Sequence, residues 1–106
     1  MKSERKDNNH VLDAVRSRCK QFDIGQTMIT LNALANLTQE DILGALYRHI
    51  EGDWGDLCSE DWHANETALV EQLRLLSAYR SQSGTAFWVI TEADRNTTTV
   101  LLPEEY

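Results

Sequence analysis

This sequence of 106 residues contains only two cysteines and one proline, and it has no long apolar run. The two cysteines, Cys19 and Cys58, have no paired spacing, so we expect reduced, partly buried thiols rather than a disulfide or a zinc site. The apolar runs are only a few residues long, which excludes a membrane-spanning helix. The opening MKSERKDNNH lacks the apolar stretch of a secretory signal, so we expect a cytoplasmic protein.

Signatures of common enzymes and metal sites are also missing. No Gly-rich phosphate loop, GxSxG turn or HExxH motif occurs. Cys58 and His63 supply too few ligands for zinc, and they would form a nucleophile–base pair only if the loop between them folded them together. The acidic stretch around them matches no calcium loop, although several of its side chains could in principle hold a metal: Asp53, Asp56, Asp61, His63 and Glu66. We predict neither a metal nor a cofactor.

Positive charge is scarce after residue 20. The net charge of the chain is −7, whereas residues 1–20 hold six basic and three acidic side chains, a net +3 that leaves −10 for residues 21–106. An acidic body repels phosphates, which argues against direct nucleic-acid binding. The same charge permits binding to a basic protein surface.

The C-terminal third predicts an antiparallel sheet. Thr85–Glu92 and Thr97–Leu102 are rich in β-branched and aromatic residues, and Ala93–Asn96 between them forms a hairpin loop. Leu75–Arg80 predicts a weaker third strand, turned by residues 81–84. The middle run has one face with Phe87, Val89 and Thr91 and another with Ala86, Trp88 and Ile90. Because both faces are largely apolar, we expect a central strand, whose full burial would call for a partner, and a homodimer is an open alternative.

The preceding residues predict helices. Residues 1–8 are polar and are expected to be frayed, and Asn9 begins a basic helix to about Gln21 whose narrow apolar stripe is Val11, Leu12, Val15 and Cys19. Residues 27–29 form either a short edge strand or an extended link, and Thr30 caps a short helix, Leu31–Asn36. Thr38 caps a longer helix that ends before Gly52, and its wide apolar face must meet a core: Ile42, Leu43, Leu46, Tyr47 and Ile50. Ser59 or Asn65 is the predicted N-cap of a last helix carrying Leu69, Val70, Leu73 and Leu76.

The acidic segment, residues 51–66, is the first candidate site because it contains no Lys or Arg. Its two tryptophans are either core anchors, the commoner role, or an exposed recognition surface. We predict a protein-binding site here, formed by Asp53, Trp54, Asp56, Glu60, Asp61 and Trp62.

The second candidate site is the hairpin loop after the central strand. Glu92, Asp94 and Arg95 could serve acid–base or phosphate chemistry, with His49, Tyr79 and Arg80 nearby if the fold brings them together. The alternative is a hairpin held by an Asp side chain and an acid–Arg pair. This site would make the protein a small nuclease-type toxin or hydrolase, whereas a DNA-binding regulator would use the basic N-terminal helix.

Several motifs resemble one family. GDWG (52–55), Glu60-Asp61, Asn65, LLSAY (75–79) and WVITEADRxxTTxLLPEEY (88–106) are similar to small bacterial "plasmid-related" proteins of mobile elements, over roughly residues 22–106. The resemblance implies an accessory role on a mobile element and carries over no catalytic residue.

The sequence therefore predicts one α+β domain over residues 1–106, mainly helical over 9–74, with three to four helices packed on a three-stranded antiparallel meander over 75–106. We expect a non-catalytic accessory protein that binds another protein. The expected partner is a basic nucleic-acid-targeting defence complex of the host, which it would inhibit in the manner of anti-CRISPR or anti-restriction proteins.

Overall fold

The computed structural model of the chain describes residues 20–106. They form an α+β fold in which a mixed sheet carries three helices. The elements in chain order are β1 (Gln26–Ile29), α1 (Leu31–Asn36), α2 (Gln39–Ile50), α3 (Ser59–Glu71), β2 (Leu75–Arg80), β3 (Ala86–Thr91), β4 (Thr97–Leu101) and a 3₁₀ turn (Pro103–Glu105). The predicted α+β class is confirmed.

The sheet has four strands in the order β1-β4-β3-β2, rather than three. The meander β2–β3–β4 is antiparallel, as predicted. The prediction of a purely antiparallel sheet was wrong, because β1 adds in parallel to the outer edge of β4, with Ile29 opposite Val100. The predicted division into helices before residue 75 and strands after it is therefore too simple, since β1 lies in the first part.

The second helix, α2, begins where its sequence predicts. The Thr38 hydroxyl accepts a hydrogen bond from the Asp41 N–H, and the Asp41 carboxylate accepts one from the Thr38 N–H, each at 3.0 Å. These two bonds satisfy N–H groups that the first turn cannot pair. They also lower the pKa of Asp41, together with a bond from the Gln82 N–H. Gly52, with a φ of +86°, lies just past the C-terminal end of the helix.

The third helix, α3, differs from its prediction at both ends. It begins at Ser59 after Cys58, and Asn65 lies in its middle, where its amide clasps the backbone of Leu76 through bonds of 2.6 and 3.2 Å. Leu73 lies beyond the helix and Leu76 belongs to β2. The chain turns at Gln72, which adopts a left-handed conformation with a φ of +58°.

Two apolar clusters form the core. The larger lies between α1, α2 and the sheet, and it contains Ala33, Leu37, Ile42, Ala45, Tyr79, Phe87, Val89, Val100 and Leu102. The smaller one joins Trp54, Ala68 and Leu75, with Phe22, Leu57, Trp62 and Leu69 packed around it. On the opposite face of the sheet, Ile90 and Leu101 are buried and the Trp88 ring contacts the Tyr106 ring edge to face.

The face of α2 that meets the core was only half correctly predicted. Ile42, Ala45 and His49 are the buried positions, whereas Leu43 and Tyr47 are 48% and 65% exposed. A wide apolar stripe shows that a helix packs on one side, but not which half of the stripe lies innermost.

Some sequence predictions lie outside the described residues. These are the frayed residues 1–8, the body of the basic helix from Asn9, and Cys19. Within residues 20–106, no helix has the length and apolar character needed to span a membrane.

Candidate functional site

The acidic segment begins with a turn that Asp53 organises. Its carboxylate accepts two hydrogen bonds from the Arg48 guanidinium, at 2.8 and 3.3 Å, and one from the Gly55 N–H at 3.1 Å. The bond from Arg48 is the main reason that the pKa of Asp53 is lowered. The Asp53 carbonyl accepts a bond from the Tyr79 hydroxyl at 2.6 Å. Asp53 therefore fixes the loop against β2, and its charge is already paired.

The two tryptophans of the segment point inward. Trp54 is fully buried in the smaller cluster, and its indole N–H donates to the Glu66 carboxylate at 2.8 Å. Trp62 is half-buried against the same cluster. The suggestion that Trp54 contacts a partner is wrong for this fold, because no part of its side chain reaches the surface. Trp54 is therefore a core anchor, one of the two roles that its sequence context allows.

The exposed acidic groups of the segment lie on and just before α3. Asp56, Glu60 and Asp61 are all exposed, and α3 has no Lys or Arg over its whole length, SEDWHANETALVE. A shallow apolar cleft of about 230 Å³ opens beside Asp61, between α3 and β2, and it is lined by Leu57, Ala64, Asn65 and Leu76. We call this combination the α3 surface: Asp56, Glu60 and Asp61 with the cleft of Leu57, Ala64 and Leu76.

Each of the three candidate catalytic groups in the hairpin loop makes a contact within the fold. The Asp94 carboxylate accepts a hydrogen bond from the Asn96 N–H at 2.9 Å, and Glu92 pairs with Arg74 at 3.4 Å. Arg95 donates to the carbonyls of Leu73 and Ala68, at 2.7 and 3.1 Å.

The Arg95 guanidinium also reaches the carbonyls of Glu92 and Ala93, and it lies over the Phe22 ring. The group therefore closes the C-terminal end of α3 and leaves little donor capacity for a substrate. The geometry matches the structural alternative for this loop.

A buried polar network joins α2 to the sheet and separates the two apolar clusters. His49 Nδ1 lies 2.6 Å from the Ser77 hydroxyl, and Nε2 lies 2.8 Å from the Thr91 hydroxyl. The Thr91 hydroxyl lies 2.7 Å from that of Thr98, which donates to the Ile24 carbonyl at 2.7 Å. All four side chains are fully buried. We call these four residues the His49 network.

The carbonyl at the end of the network fixes the direction of every bond in it. The Thr98 hydroxyl gives its only proton to Ile24, so Thr91 must donate to Thr98, and His49 Nε2–H must donate to Thr91. Because the buried imidazole is neutral, Nδ1 carries no proton and accepts from Ser77. The imidazole is neutral, and burial, with a smaller effect from the positive charge of Arg95, lowers the pKa of His49 to about 3.

The Ser77–His49 pair has the atoms of a nucleophile and its base, but it lacks access. The rings of Phe22 and Trp54 meet the imidazole edge to face, at centroid distances of 5.1 and 5.7 Å, and seal it from solvent. A substrate cannot reach a serine that is fully buried. The chemical role of the network is to satisfy polar groups between two apolar clusters.

The sequence analysis did not identify this network. The available signal was that His49 follows Ile42 by seven residues, on the same side of α2, while Thr91 and Thr98 point to the same face of adjacent strands. His63, by contrast, is exposed on α3, as is Cys58 just before it. In the part of the chain that the structure describes, no three His, Cys, Asp or Glu side chains cluster closely enough to hold a metal ion.

Comparison with known proteins yields no match to a protein-family model, to a curated protein or to a solved structure.

Proposed function

We propose that this chain is a non-catalytic binding protein whose α3 surface docks on a basic protein surface. The observation that carries the proposal is the pairing of an apolar cleft with acids that have no Lys or Arg neighbour on α3. A desolvated apolar centre with a charged rim is a common arrangement at protein interfaces, where the apolar part supplies affinity and the charges steer the encounter.

The overall charge supports the same partner chemistry. Residues 21–106 carry −10, and all four of their Arg side chains are engaged within the fold: Arg48 with Asp53, Arg74 with Glu92, and Arg80 and Arg95 with carbonyl groups. Such a body is drawn to a positive field and repelled by phosphates. A basic nucleic-acid channel is the protein surface with the largest field of this kind.

The resemblance to plasmid-related proteins gives the biological setting of the proposal. We propose an accessory protein of a bacterial mobile element that occupies the nucleic-acid channel of a host defence complex and so inhibits it. An acidic protein of this size can exclude nucleic acid by competing for the same basic residues.

The test begins with an affinity pull-down of the tagged chain from a host lysate treated with nuclease, and the captured protein is then purified. Its affinity is measured for a variant carrying Asp56→Asn, Glu60→Gln and Asp61→Asn. A matched control carries Glu40→Gln, Glu51→Gln and Glu104→Gln, which are exposed acids outside the α3 surface with the same total change in charge.

The proposal predicts that the α3 variant loses most of its affinity, while the control loses only the fraction due to net charge. We also expect binding of the unmodified chain to weaken steeply with salt. Equal losses in the two variants would refute the α3 surface as the site, and failure to capture any protein from the nuclease-treated lysate would refute a protein partner.

A further inference from the structure

Strand β1 forms one edge of the sheet, and no other strand among residues 20–106 pairs with its outer side. The N–H groups of Gln26 and Thr30 donate to backbone carbonyls on the β4 side, at 2.8 and 3.1 Å. Because successive backbone groups of a strand point to alternate sides, the N–H and C=O groups of Thr27 and Ile29 point away from the sheet. The strand, QTMI, contains no charge and no proline to oppose pairing with another strand.

An apolar groove of about 560 Å³ adjoins this edge, between β1, α1 and α2. Leu34 and Leu43 in its wall are 57% and 48% exposed, and Ile29 extends the groove onto β1. Met28, on the other face of the strand, is 48% exposed. We call this continuous surface the β1 surface: the outer edge of β1 together with the groove. Contiguous apolar surface of this kind marks an interaction site.

The distribution of charge indicates which partner suits the β1 surface. Residues 24–39 contain no Asp, Glu, Lys or Arg, and they are the longest uncharged stretch of the sequence. The acids of the α3 surface lie toward the opposite edge of the sheet, where Asn65 of α3 bonds to β2. A basic partner is attracted to those acids, whereas two acidic copies repel each other unless uncharged surfaces meet. The β1 surface therefore suits a second copy of the chain.

We propose that two copies of the chain pair through β1, antiparallel about a two-fold axis at Met28, and join their sheets into one of eight strands. Thr27 of each copy then lies opposite the partner's Ile29. Within β1, this register uses every outward N–H and C=O group of these two residues, which gives four hydrogen bonds.

The same axis brings the two grooves together. Thr27 and Ile29 face the helical side of the sheet in both copies, since both line the groove. The helices α1 and α2 of one copy thus lie beside those of the other, with Leu34 and Leu43 packed between them. Four hydrogen bonds at a short strand give little affinity, so burial of this apolar surface supplies most of it.

This inference is independent of the proposed function, because the β1 surface and the α3 surface share no residue. In the dimer, the two α3 surfaces lie toward the opposite ends of the joined sheet, so both stay open to a partner.

The first measurement is the mass of the full-length chain by light scattering at about 10 μM, since interfaces of standard size bind with micromolar affinity or better. We expect twice the 12.1 kDa of one chain. Leu43→Glu would bury an unpaired carboxylate in the interface and should raise the dissociation constant of the dimer by about tenfold or more. Val70→Glu, with the same change in charge at a residue of α3 that is 82% exposed, should leave the dimer in place.

Engineered cysteines test the register, in a chain that also carries Cys19→Ser and Cys58→Ser. Residues opposite each other in a non-hydrogen-bonded antiparallel pair have Cα atoms about 4.5 Å apart, which a disulfide can span. Met28→Cys should therefore cross-link two copies in a glutathione redox buffer. Gln26→Cys is the control on the same face of β1, because in this register the two Gln26 positions lie about 14 Å apart along the strands, beyond the reach of a disulfide.

Three results would overturn the proposal. The first is a monomer mass at every concentration up to about 100 μM, which is weaker than a specific interface of this kind allows. The second is a dimer that Leu43→Glu weakens no more than Val70→Glu does. The third is equal cross-linking of Met28→Cys and Gln26→Cys, which would show random collision or a different register.

Discussion

The His49 network allows a sharp test of how this fold is held together. In the variant His49→Leu, the Ser77 hydroxyl loses its acceptor and the Thr91 hydroxyl loses its donor, while both stay fully buried. Each buried polar group left without its partner costs about 1–3 kcal/mol, so the free energy of unfolding should fall by about 2–6 kcal/mol. That is a large share of the roughly 5–15 kcal/mol available to a domain of this size.

Removing the partners as well should restore most of the lost stability. In the triple variant His49→Leu, Ser77→Ala and Thr91→Val, no hydroxyl of the first two bonds remains unpaired, and Thr98 keeps its bond to Ile24. Replacing both sides of a buried hydrogen bond by apolar groups of similar shape is close to neutral. We therefore expect the triple variant to be more stable than His49→Leu alone.

The same network makes stability depend on pH. His49 has a pKa of about 3 in the folded state against an ordinary 6.5, so between these values the unfolded chain binds a proton that the folded chain does not. The free energy of unfolding should then fall by about 1.4 kcal/mol for each unit of pH below 6, down to about pH 4. Both Leu variants should lose this slope.

Urea unfolding followed by tryptophan fluorescence, repeated from pH 7 to pH 4.5, measures all of these quantities. Carboxylates with a lowered pKa, such as Asp53, lose their contribution only at lower pH, so the window isolates the histidine. His63→Leu, at an exposed site on α3, is the control and should keep the slope. A flat profile for the unmodified chain, or a triple variant less stable than His49→Leu, would refute the reasoning.

Two further predictions concern local backbone features. A methyl group at Gly55, which has a φ of +79°, would lie 2.0 Å from the Ala78 carbonyl oxygen, so Gly55→Ala should cost at least about 2 kcal/mol in chemical denaturation. Gly44→Ala, on the open side of α2 with nothing within 4 Å of the added methyl, should instead stabilise the chain by about 1 kcal/mol. Thr38→Ala removes the N-cap of α2 and should lower the free energy of unfolding by about 1 kcal/mol. Thr67→Ala, at an exposed position within α3, is the control and should leave that free energy unchanged. Equal effects of the two substitutions in calorimetry would contradict the capping role of Thr38.

The parts of the fold that could be predicted are those set by neighbouring residues. Thr38 and Thr30 cap their helices through bonds to residues three positions ahead, and the β3–β4 hairpin follows from two β-branched runs around Ala93–Asn96. Strand β1 gave no comparable signal. It has four residues, and its pairing with residues 97–100 depends on chain segments some seventy residues apart.

The candidate site was harder to predict because side-chain type does not fix burial. Trp54 beside acids is compatible with a core, the commoner role, or with a surface, and its complete burial places it in the core. His49 is a polar residue at a helix position where a buried apolar residue is the norm. Its hydrogen bonds with Ser77 on β2 and Thr91 on β3 make its burial stable.

The motifs that carry the family resemblance coincide with the fold's structural residues. Gly55 allows close approach to β2, Ser77 and Thr91 belong to the His49 network, and Arg95 closes α3.

The parallel pairing of β1 with β4 has a consequence for how the chain is made. Among residues 20–106, the sheet neighbour of residues 26–29 is residues 97–100, and the Thr30 hydroxyl donates to Glu105 at 2.8 Å. A ribosome that has synthesised the three helices has therefore delivered no complete core, because the two central strands, β3 and β4, have not yet been made. Folding must await release of residues 97–105, so a translation product cut short before them presents unpaired strands and exposed leucines, the features that chaperones and proteases recognise.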